Sequence, residues 1–327
     1  MAIKMEVVKR DFPLRAPFSI TGHTFYTQHV VWVYLRDGEN EGRGEASGVY
    51  YLGDTQDTMV DQLRGIESAV ESGASRADIQ KLLPPGGARN ALDCAMWDLE
   101  CKREGVRIWE LLGLSPEPLT TVATIGIGTD AEMAARAREY AEFSKLKVKL
   151  DADAPLAKLR AIREARPDAD IVIDVNQGWS REILIDALPE LVDLQIAMVE
   201  QPLPRGEDDD LVGVDSPIPL GADESLLHLG EYAEIAPLYD VINIKLDKCG
   251  GLTEGLEMAK QAVSDGKQVM VGNMTGTSLS MAPSYVVGQY CQFVDIDGPI
   301  LLERDIEHGL QYQPGGVVAP PPAELWG

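Results

Sequence analysis

The sequence is poor in cysteine and histidine, and it has too few basic residues to balance its acids. Cys94, Cys101, Cys249 and Cys291 have neither the paired spacing of metal ligands nor the density of a disulfide framework, which argues against structural zinc and leaves buried, reduced thiols. No apolar run approaches the ~20 residues that span a bilayer, and Met1–Arg10 lacks the uninterrupted apolar core of a signal peptide. The expectation is a cytoplasmic chain without a membrane partner. Lysine and arginine number 29 against 53 acids, and the formal charge of −24 repels nucleic acid and anionic lipid over most of the surface. That charge equally fits a highly solvated surface and identifies no substrate. No Gly-x-Gly-x-x-Gly run follows any β-rich segment, so a dinucleotide site gains no support. His23, His29, His228 and His308 lie away from the segments that carry the chemistry below, and no role is assigned to them.

What is present is a two-part pattern. The first ~110 residues mix β-rich runs, Ile3–Val8 and His29–Leu35, with helical stretches over Thr55–Glu71 and Ala88–Glu104. Pro84, Pro85, Gly86 and Gly87 break the chain before the second helix, and Leu114 to Pro118 reads as a linker. Residues 1–115 are therefore expected to form a separate α+β unit. Beyond it, short β-branched runs alternate with amphipathic helical segments, the pattern of a parallel sheet. Eight strands are predicted: Thr121–Gly126, Lys145–Leu150, Ile171–Asn176, Ile196–Glu200, Ile218–Asp223, Val241–Leu246, Gln268–Asn273 and Phe293–Asp297. Eight such strands close most naturally into a barrel, with a doubly wound open sheet as the alternative. The fourth and fifth connections are short, and a helix between those strands is doubtful.

Strand after strand ends in a charged side chain, and in a barrel those ends form the catalytic face. The second strand gives Lys147 and Lys149, the third Asp174 and Asn176, the fourth Glu200, the fifth Asp223, the sixth Asn243 and Lys245, and the eighth Asp295 and Asp297. Residues two apart on a strand face the same way. From Lys149 to Lys245 the last charged members recur every 22–26 residues, which sets them at similar heights. Asp174, Glu200 and Asp223 would stand on adjacent strands, where repulsion is severe unless a cation lies among them. An all-oxygen ligand set suits Mg²⁺, or Mn²⁺ in its place. Ion pairs with Lys147, Lys149 and Lys245 are the structural alternative. Lys149 and Lys245, on the second and sixth of eight strands, would face each other across the mouth with one amine on each side of a substrate. Burial, the neighbouring Lys147 and a metal are expected to disfavour their charged forms.

The chain resembles the muconate-lactonizing subgroup of the enolase superfamily over essentially its whole length. The resemblance is carried by Leu146-Lys-Val-Lys-Leu150, Asp174-Val-Asn-Gln-Gly-Trp179, Val199-Glu-Gln-Pro202, Gly221-Ala-Asp-Glu-Ser225 and Asn243-Ile-Lys-Leu-Asp-Lys-Cys-Gly-Gly251, with Ala88–Glu100 similar to the helix that precedes the barrel. It implies an α/β fold, a modified TIM barrel (β/α)₇β over residues 116–298, beneath an α+β N-terminal capping domain completed by residues 299–327. It implies Mg²⁺ on Asp174, Glu200 and Asp223, Lys149 and Lys245 as the acid/base pair, Lys147 stabilising an enolate, and a supporting role for Lys248. Lysine bases beside Mg²⁺ are a known arrangement of enolase-superfamily sites, so this part of the mechanism is taken from the family.

Within the subgroup, Phe293-Val-Asp-Ile-Asp-Gly298 resembles the Asp-x-Asp of dipeptide epimerases. The implied substrate is a dipeptide, its ammonium on Asp295 and Asp297, with Asn176, Thr124 and Phe25 as further substrate contacts. A homo-oligomer remains open. Epimerases acting on Ala-Glu can carry an arginine in the early capping loop, whereas this loop reads Thr21-Gly-His-Thr-Phe-Tyr26 and Arg15 lies several residues before it. An apolar, aromatic or polar second residue is at least as well suited. N-acylamino-acid racemases, o-succinylbenzoate synthases and muconate cycloisomerases would use the same metal and lysines, but an acidic pair repels their distal carboxylates or finds no cation to bind. A non-catalytic binding homologue is a further alternative.

Overall fold

The computed structural model describes residues 3–327. The chain begins with an antiparallel sheet, β1 (Lys4–Ile20), β2 (His23–Asp37) and β3 (Asn40–Ala46), paired in that order. The first two strands are far longer than the apolar runs suggest. Lys9, Arg10, Asp11 and Arg15 interrupt the alternation of β1 because that part of the strand is solvent-exposed, while backbone pairing continues as far as Ile20 opposite His23. The predicted early loop is thus a hairpin: Thr21 and Gly22 make the turn, Gly22 at φ +76°, and His23 to Tyr26 already belong to β2. β3 escapes a propensity reading because it contains Gly42 and Gly44. A Cβ at Gly44 would collide with the carbonyl oxygen of Ala91, so glycine is what lets the strand lie against a helix.

Four helices follow: α1 (Gln56–Glu71), α2 (Arg76–Leu82), α3 (Gly87–Glu104) and α4 (Ile108–Leu112). Residues 87–99 of α3 are buried on every side, since the helix lies between the N-terminal sheet and the following domain. A short β4 (Leu119–Thr120) leads into eight parallel strands: β5 (Ala123–Ile125), β6 (Lys145–Lys149), β7 (Asp170–Asp174), β8 (Ile196–Glu200), β9 (Leu220–Ala222), β10 (Val241–Lys245), β11 (Gln268–Gly272) and β12 (Phe293–Val294). The N–H of Val122 donates to the carbonyl of Val294 at 3.0 Å, joining the last strand to the first. Helices α5 (Asp130–Glu139), α6 (Pro155–Ala165) and α7 (Arg181–Asp193) cover the first three crossovers. The fourth has only a 3₁₀ turn at Asp208–Leu211, and the fifth a single α-turn, α8 (Tyr232–Ile235), flanked by 3₁₀ turns. After β10 come α9 (Leu246–Cys249) and α10 (Leu252–Ser264), and α11 (Ser278–Gly288) precedes β12.

Inside the barrel, Val122, Val172, Met198, Val241 and Met270 pack into an apolar floor. Two residues further along the strands, on the same face, stand Thr124, Asp174, Glu200 and Asn243, so one period-two step separates dry floor from polar mouth. The eighth strand is shorter than predicted. It ends at Val294, and Asp297 instead precedes α12 (Gly298–Leu301). The C-terminal segment returns as β13 (Tyr312–Gln313) and β14 (Val317–Val318) against β4, and the Trp326 indole N–H then donates to the carbonyl of Cys94 on α3 at 3.0 Å. Among the described residues, no helix is long and apolar enough to cross a membrane.

Glu45 fastens the N-terminal sheet to the barrel mouth. Its buried carboxylate accepts the Trp32 indole N–H at 2.7 Å and the backbone N–H of Thr277 at 2.7 Å. Burial pushes it up from 4.5 to about 7, against the hydrogen bonds from Thr277 and Trp32. The folded protein therefore binds this proton more tightly than the unfolded chain, and the resulting stability is complete below pH 4.5 and lost as pH rises through 7. Urea midpoints should fall over that window, with about 3 kcal/mol at most traceable to this group. Glu45→Gln, which cannot ionise, should fall less steeply than the parent. Parallel pH profiles would refute the assignment.

Candidate active site

The register of the strands assembles the site. Lys149 pairs with Asp174 across β6 and β7, and Asp174 with Glu200 across β7 and β8, while Asp223 directly follows β9. Asp174, Glu200 and Asp223 are all buried, and each offers an oxygen within 4.8 Å of the others. This all-oxygen set fits a hard divalent cation. The fit is strengthened by Glu200 Oε2, which lies 2.6 Å from Lys147 Nζ yet has no partner of hydrogen-bonding geometry.

Amines surround these acids. Lys147 starts level with the apolar floor, opposite Val172, and its stem rises so that Nζ stands 3.1 Å from Asp174, 2.6 Å from Glu200 and 3.1 Å from Asp295. Lys149 Nζ donates to Asp174 Oδ2 at 2.5 Å and to Asn176 Oδ1 at 3.2 Å. On the sixth strand Lys245 Nζ donates to Asp223 Oδ2 at 2.5 Å. Lys248 donates to Asp223 Oδ1 at 2.7 Å and to three backbone carbonyls, those of Asp223, Leu226 and Asn243. Asn243 Nδ2 holds Glu200 Oε1 at 2.6 Å. The ion pairs named as the alternative to a metal are thus all formed.

Burial does press Lys147 and Lys245 toward the neutral form, but Glu200, Asp174 and Asp295 outweigh it at Lys147 and Asp223 outweighs it at Lys245, so both are raised above the ordinary lysine value. Among these amines Lys248 is lowered, by burial, with Asp223 opposing. Glu200 is pushed up to about 8 by burial and by the charge of Asp174. Asp174 and Asp223 are held below the carboxylate range, because their lysine partners overcome burial.

The eighth-strand acids are brought together, though not as two free carboxylates. Asn273 Nδ2 donates to Asp295 Oδ1 at 2.8 Å, and Thr124 donates its backbone N–H to Asp297 Oδ2 at 2.6 Å. Burial, then the charge of Asp295 and a hydrogen bond to it, hold Asp297 well above the carboxylate range. Thr124 accordingly serves Asp297 through its backbone.

Lys149, Lys245, Asn176 and Phe25 line one cavity of about 60 Å³, with Phe18, Ile20, Gln28, Tyr50, Tyr51, Glu224, Asn273, Met274 and Thr275. Larger hollows lie elsewhere, about 1160 Å³ beside α2 and α3 and about 320 Å³ beside Arg15 and α5, but neither is lined by Lys149 or Lys245. Arg15 donates to the carbonyl of Leu302 and lines the second of these, outside the lysine cavity. His23, given no role by its sequence position, packs on Phe25 and Tyr50 with ring centroids 4.3 and 5.1 Å away. Tyr50 and Tyr51 carry no signal in the sequence that points to this cavity, and Glu224 is given no role there although it falls within the Gly221–Ser225 motif. β9 ends at Ala222, so strand alternation no longer describes Glu224, and the tyrosines occupy a short turn without periodicity.

Comparison with known proteins agrees over the whole chain. Residues 2–113 match the family described as Mandelate racemase / muconate lactonizing enzyme, N-terminal domain, and residues 130–321 match Enolase C-terminal domain-like. The L-Ala-D/L-Glu epimerase of Escherichia coli (strain K12) is 37% identical over 314 residues, spanning 95% of this chain and 98% of the relative. An enolase family member from Agrobacterium tumefaciens with homology to dipeptide epimerases, with bound sodium and L-Ala-L-Glu and an ordered loop, has a TM-score of 0.96 at 39% identity, covering 99% of this chain and 100% of that one. A dipeptide epimerase from Enterococcus faecalis V583, complexed with Mg and the dipeptide L-Leu-L-Tyr, has a TM-score of 0.91 at 27% identity, covering 98% of this chain and 97% of that one.

Lys147→Met would leave Asp174, Glu200 and Asp295 without their shared ammonium. With chelator present it should lower the unfolding free energy by about 3–5 kcal/mol, the scale of a broken buried pair. Equal urea midpoints for variant and parent would show that the acids do not depend on this amine.

Proposed function

This chain belongs to the mandelate racemase/muconate lactonizing enzyme family of the enolase superfamily and is an epimerising isomerase, and from that premise we propose that it inverts the second α-carbon of dipeptides in an Mg²⁺-dependent reaction. The observation that carries the reading is the placement of Lys149 and Lys245 on the second and sixth of eight strands, with Asp174, Glu200 and Asp223 between them. Amines so placed address opposite faces of one carbon atom.

Asp174, Glu200 and Asp223 would hold Mg²⁺. When bound, the ion supplies positive charge that stabilises the electron pair released into the substrate carboxylate. In one direction Lys149, as the free amine, takes the α-proton while Lys245, as the ammonium, delivers a proton to the opposite face. The reverse direction exchanges their roles. Lys147, kept protonated by its three acids, adds fixed positive charge beside the developing enolate. Asp295 and Asp297 receive the substrate's N-terminal ammonium, whose positive charge favours ionisation of the otherwise raised Asp297 and so makes both hydrogen bonds charge-assisted. That pair disfavours a cycloisomerase or N-acylamino-acid racemase reading, because those substrates bring no cation to this position.

The second side chain is left with the cavity wall beneath the N-terminal sheet. Phe18, Ile20, Phe25, Tyr50 and Met274 supply it, and among the described residues the two lysines are the cations that line it. An apolar or aromatic second residue fits this wall; a glutamate carboxylate finds no dedicated partner there. In D₂O, L-Ala-L-Phe and L-Ala-L-Leu should gain deuterium at the second α-carbon, with L-Ala-L-Glu slower by about 10-fold or more in kcat/KM. A preference for L-Ala-L-Glu would overturn the side-chain assignment, and no label in any dipeptide would overturn the epimerase reading. Thorough chelation should abolish exchange and added Mg²⁺ restore it. Full activity after chelation would remove the metal from the mechanism.

A further inference from the structure

Glu224 is buried in the lysine cavity with a task that its own surroundings do not complete. Its Oε1 accepts Asn176 Nδ2 at 3.0 Å, and its Oε2 has no partner. Asn176 is constrained from both sides. Its backbone is left-handed at φ +43°, and its N–H donates to Asp174 Oδ1 at 3.0 Å. The carbonyl end of its amide faces Lys149 Nζ at 3.2 Å. In this rotamer, a half-turn of the terminal amide exchanges its two ends. One end accepts and the other donates, so that turn decides whether Lys149 meets an acceptor or two competing N–H groups.

We propose that Glu224 is a positioning residue for one of the two lysines only: by accepting from Asn176 Nδ2 it locks the amide oxygen onto Lys149 and aims that amine at the substrate carbon. The expected role of Asn176 as a substrate contact gives way to this one, since both ends of its amide are engaged within the protein. Lys245 takes part in no hydrogen bond with Glu224 or Asn176; Asp223 holds it at 2.5 Å, and Glu224 acts on it only through its negative charge. The consequence is an asymmetry. Loss of the Glu224 acceptor damages proton transfer on the Lys149 face, loss of its charge alone shifts the Lys245 face to the same small extent in every neutral variant, and general damage to fold or metal site affects both faces.

The inference rests on the two-lysine reading above, and its test separates the two. Deuterium uptake at the second α-carbon is measured separately for each dipeptide epimer with the Mg²⁺-loaded protein, and Lys149→Ala shows which epimer depends on Lys149. Glu224→Met, similar in length but without an acceptor, should slow that epimer by about 10²-fold, the cost of a reacting group misplaced by about 1 Å. The other epimer should change by only a few-fold, and the loss should fall on kcat with KM little changed. Glu224→Gln, which retains an acceptor oxygen, should restore most of the rate. Equal losses for both epimers, or no loss, would overturn the proposal. Should Glu224→Met not fold, Asn176→Gly, which keeps the left-handed backbone and removes the amide, must give the same asymmetry. A second readout needs no substrate: after reductive ¹³C-methylation, the NMR signal of Lys149 should move in Glu224→Met and much less in Glu224→Gln, whereas that of Lys245, which feels only the Glu224 charge, should move equally in both. If the parent exchanges no dipeptide the epimerase reading fails, and the Lys149 signal still decides the relay.

Discussion

Three buried carboxylates, each with an oxygen within 4.8 Å of the others, are the constraint around which this molecule is organised. Their repulsion in a dry interior has to be met by positive charge. Lys147, Lys149, Lys245 and Lys248 all turn toward them. Asp174 and Asp223 remain below the carboxylate range, while Glu200, whose Oε2 lacks hydrogen-bonding geometry, is pushed up. A site that holds its lysines this way is also prepared for a cation, because the oxygen atoms that attract ammonium groups are the ones a hard metal would take.

The barrel makes this concentration of charge tolerable. The apolar floor of Val122, Val172, Met198, Val241 and Met270 seals the interior below the acids. One period-two step higher the same strands present Asp174, Glu200 and Asn243. The N-terminal sheet closes the other side. Glu45 ties it to Thr277, and Asp247 accepts the N–H groups of Ser47 and Gly48 at 3.0 and 2.9 Å. Packing of His23, Phe25 and Tyr50 over the lysines is therefore fixed by the same contacts that join the two parts of the chain.

Much of the site is legible in the sequence because regular strands carry their own coordinates. A charged residue at the end of each β-branched run, recurring at nearly constant intervals, is enough to put Lys149, Asp174, Glu200, Asp223 and Lys245 on one rim. Legibility fails where regularity does. β3 is hidden by Gly42 and Gly44, which are poor strand formers and are required by contact with α3. Tyr50 and Tyr51 stand in a short turn without periodicity, and the partner of Glu224, Asn176, lies just past the end of another strand. The sign of the lysine shifts is out of reach for a different reason: it depends on a balance of nearby charges over distances of a few ångströms.

The amino-acid order by itself determined which residue types stand at which strand ends, and hence the parallel α/β architecture and the rim of acids and amines, because periodicity is a local property of the chain. Only the tertiary structure decided the partners: which acid each lysine pairs with, that Lys147 and Asn273 hold Asp295 while Thr124 holds Asp297, that the cavity wall is aromatic, and that Glu224 reaches Lys149 through Asn176. Those relations join residues tens to hundreds of positions apart, and electrostatic and packing forces act on distance in space, which no local pattern encodes.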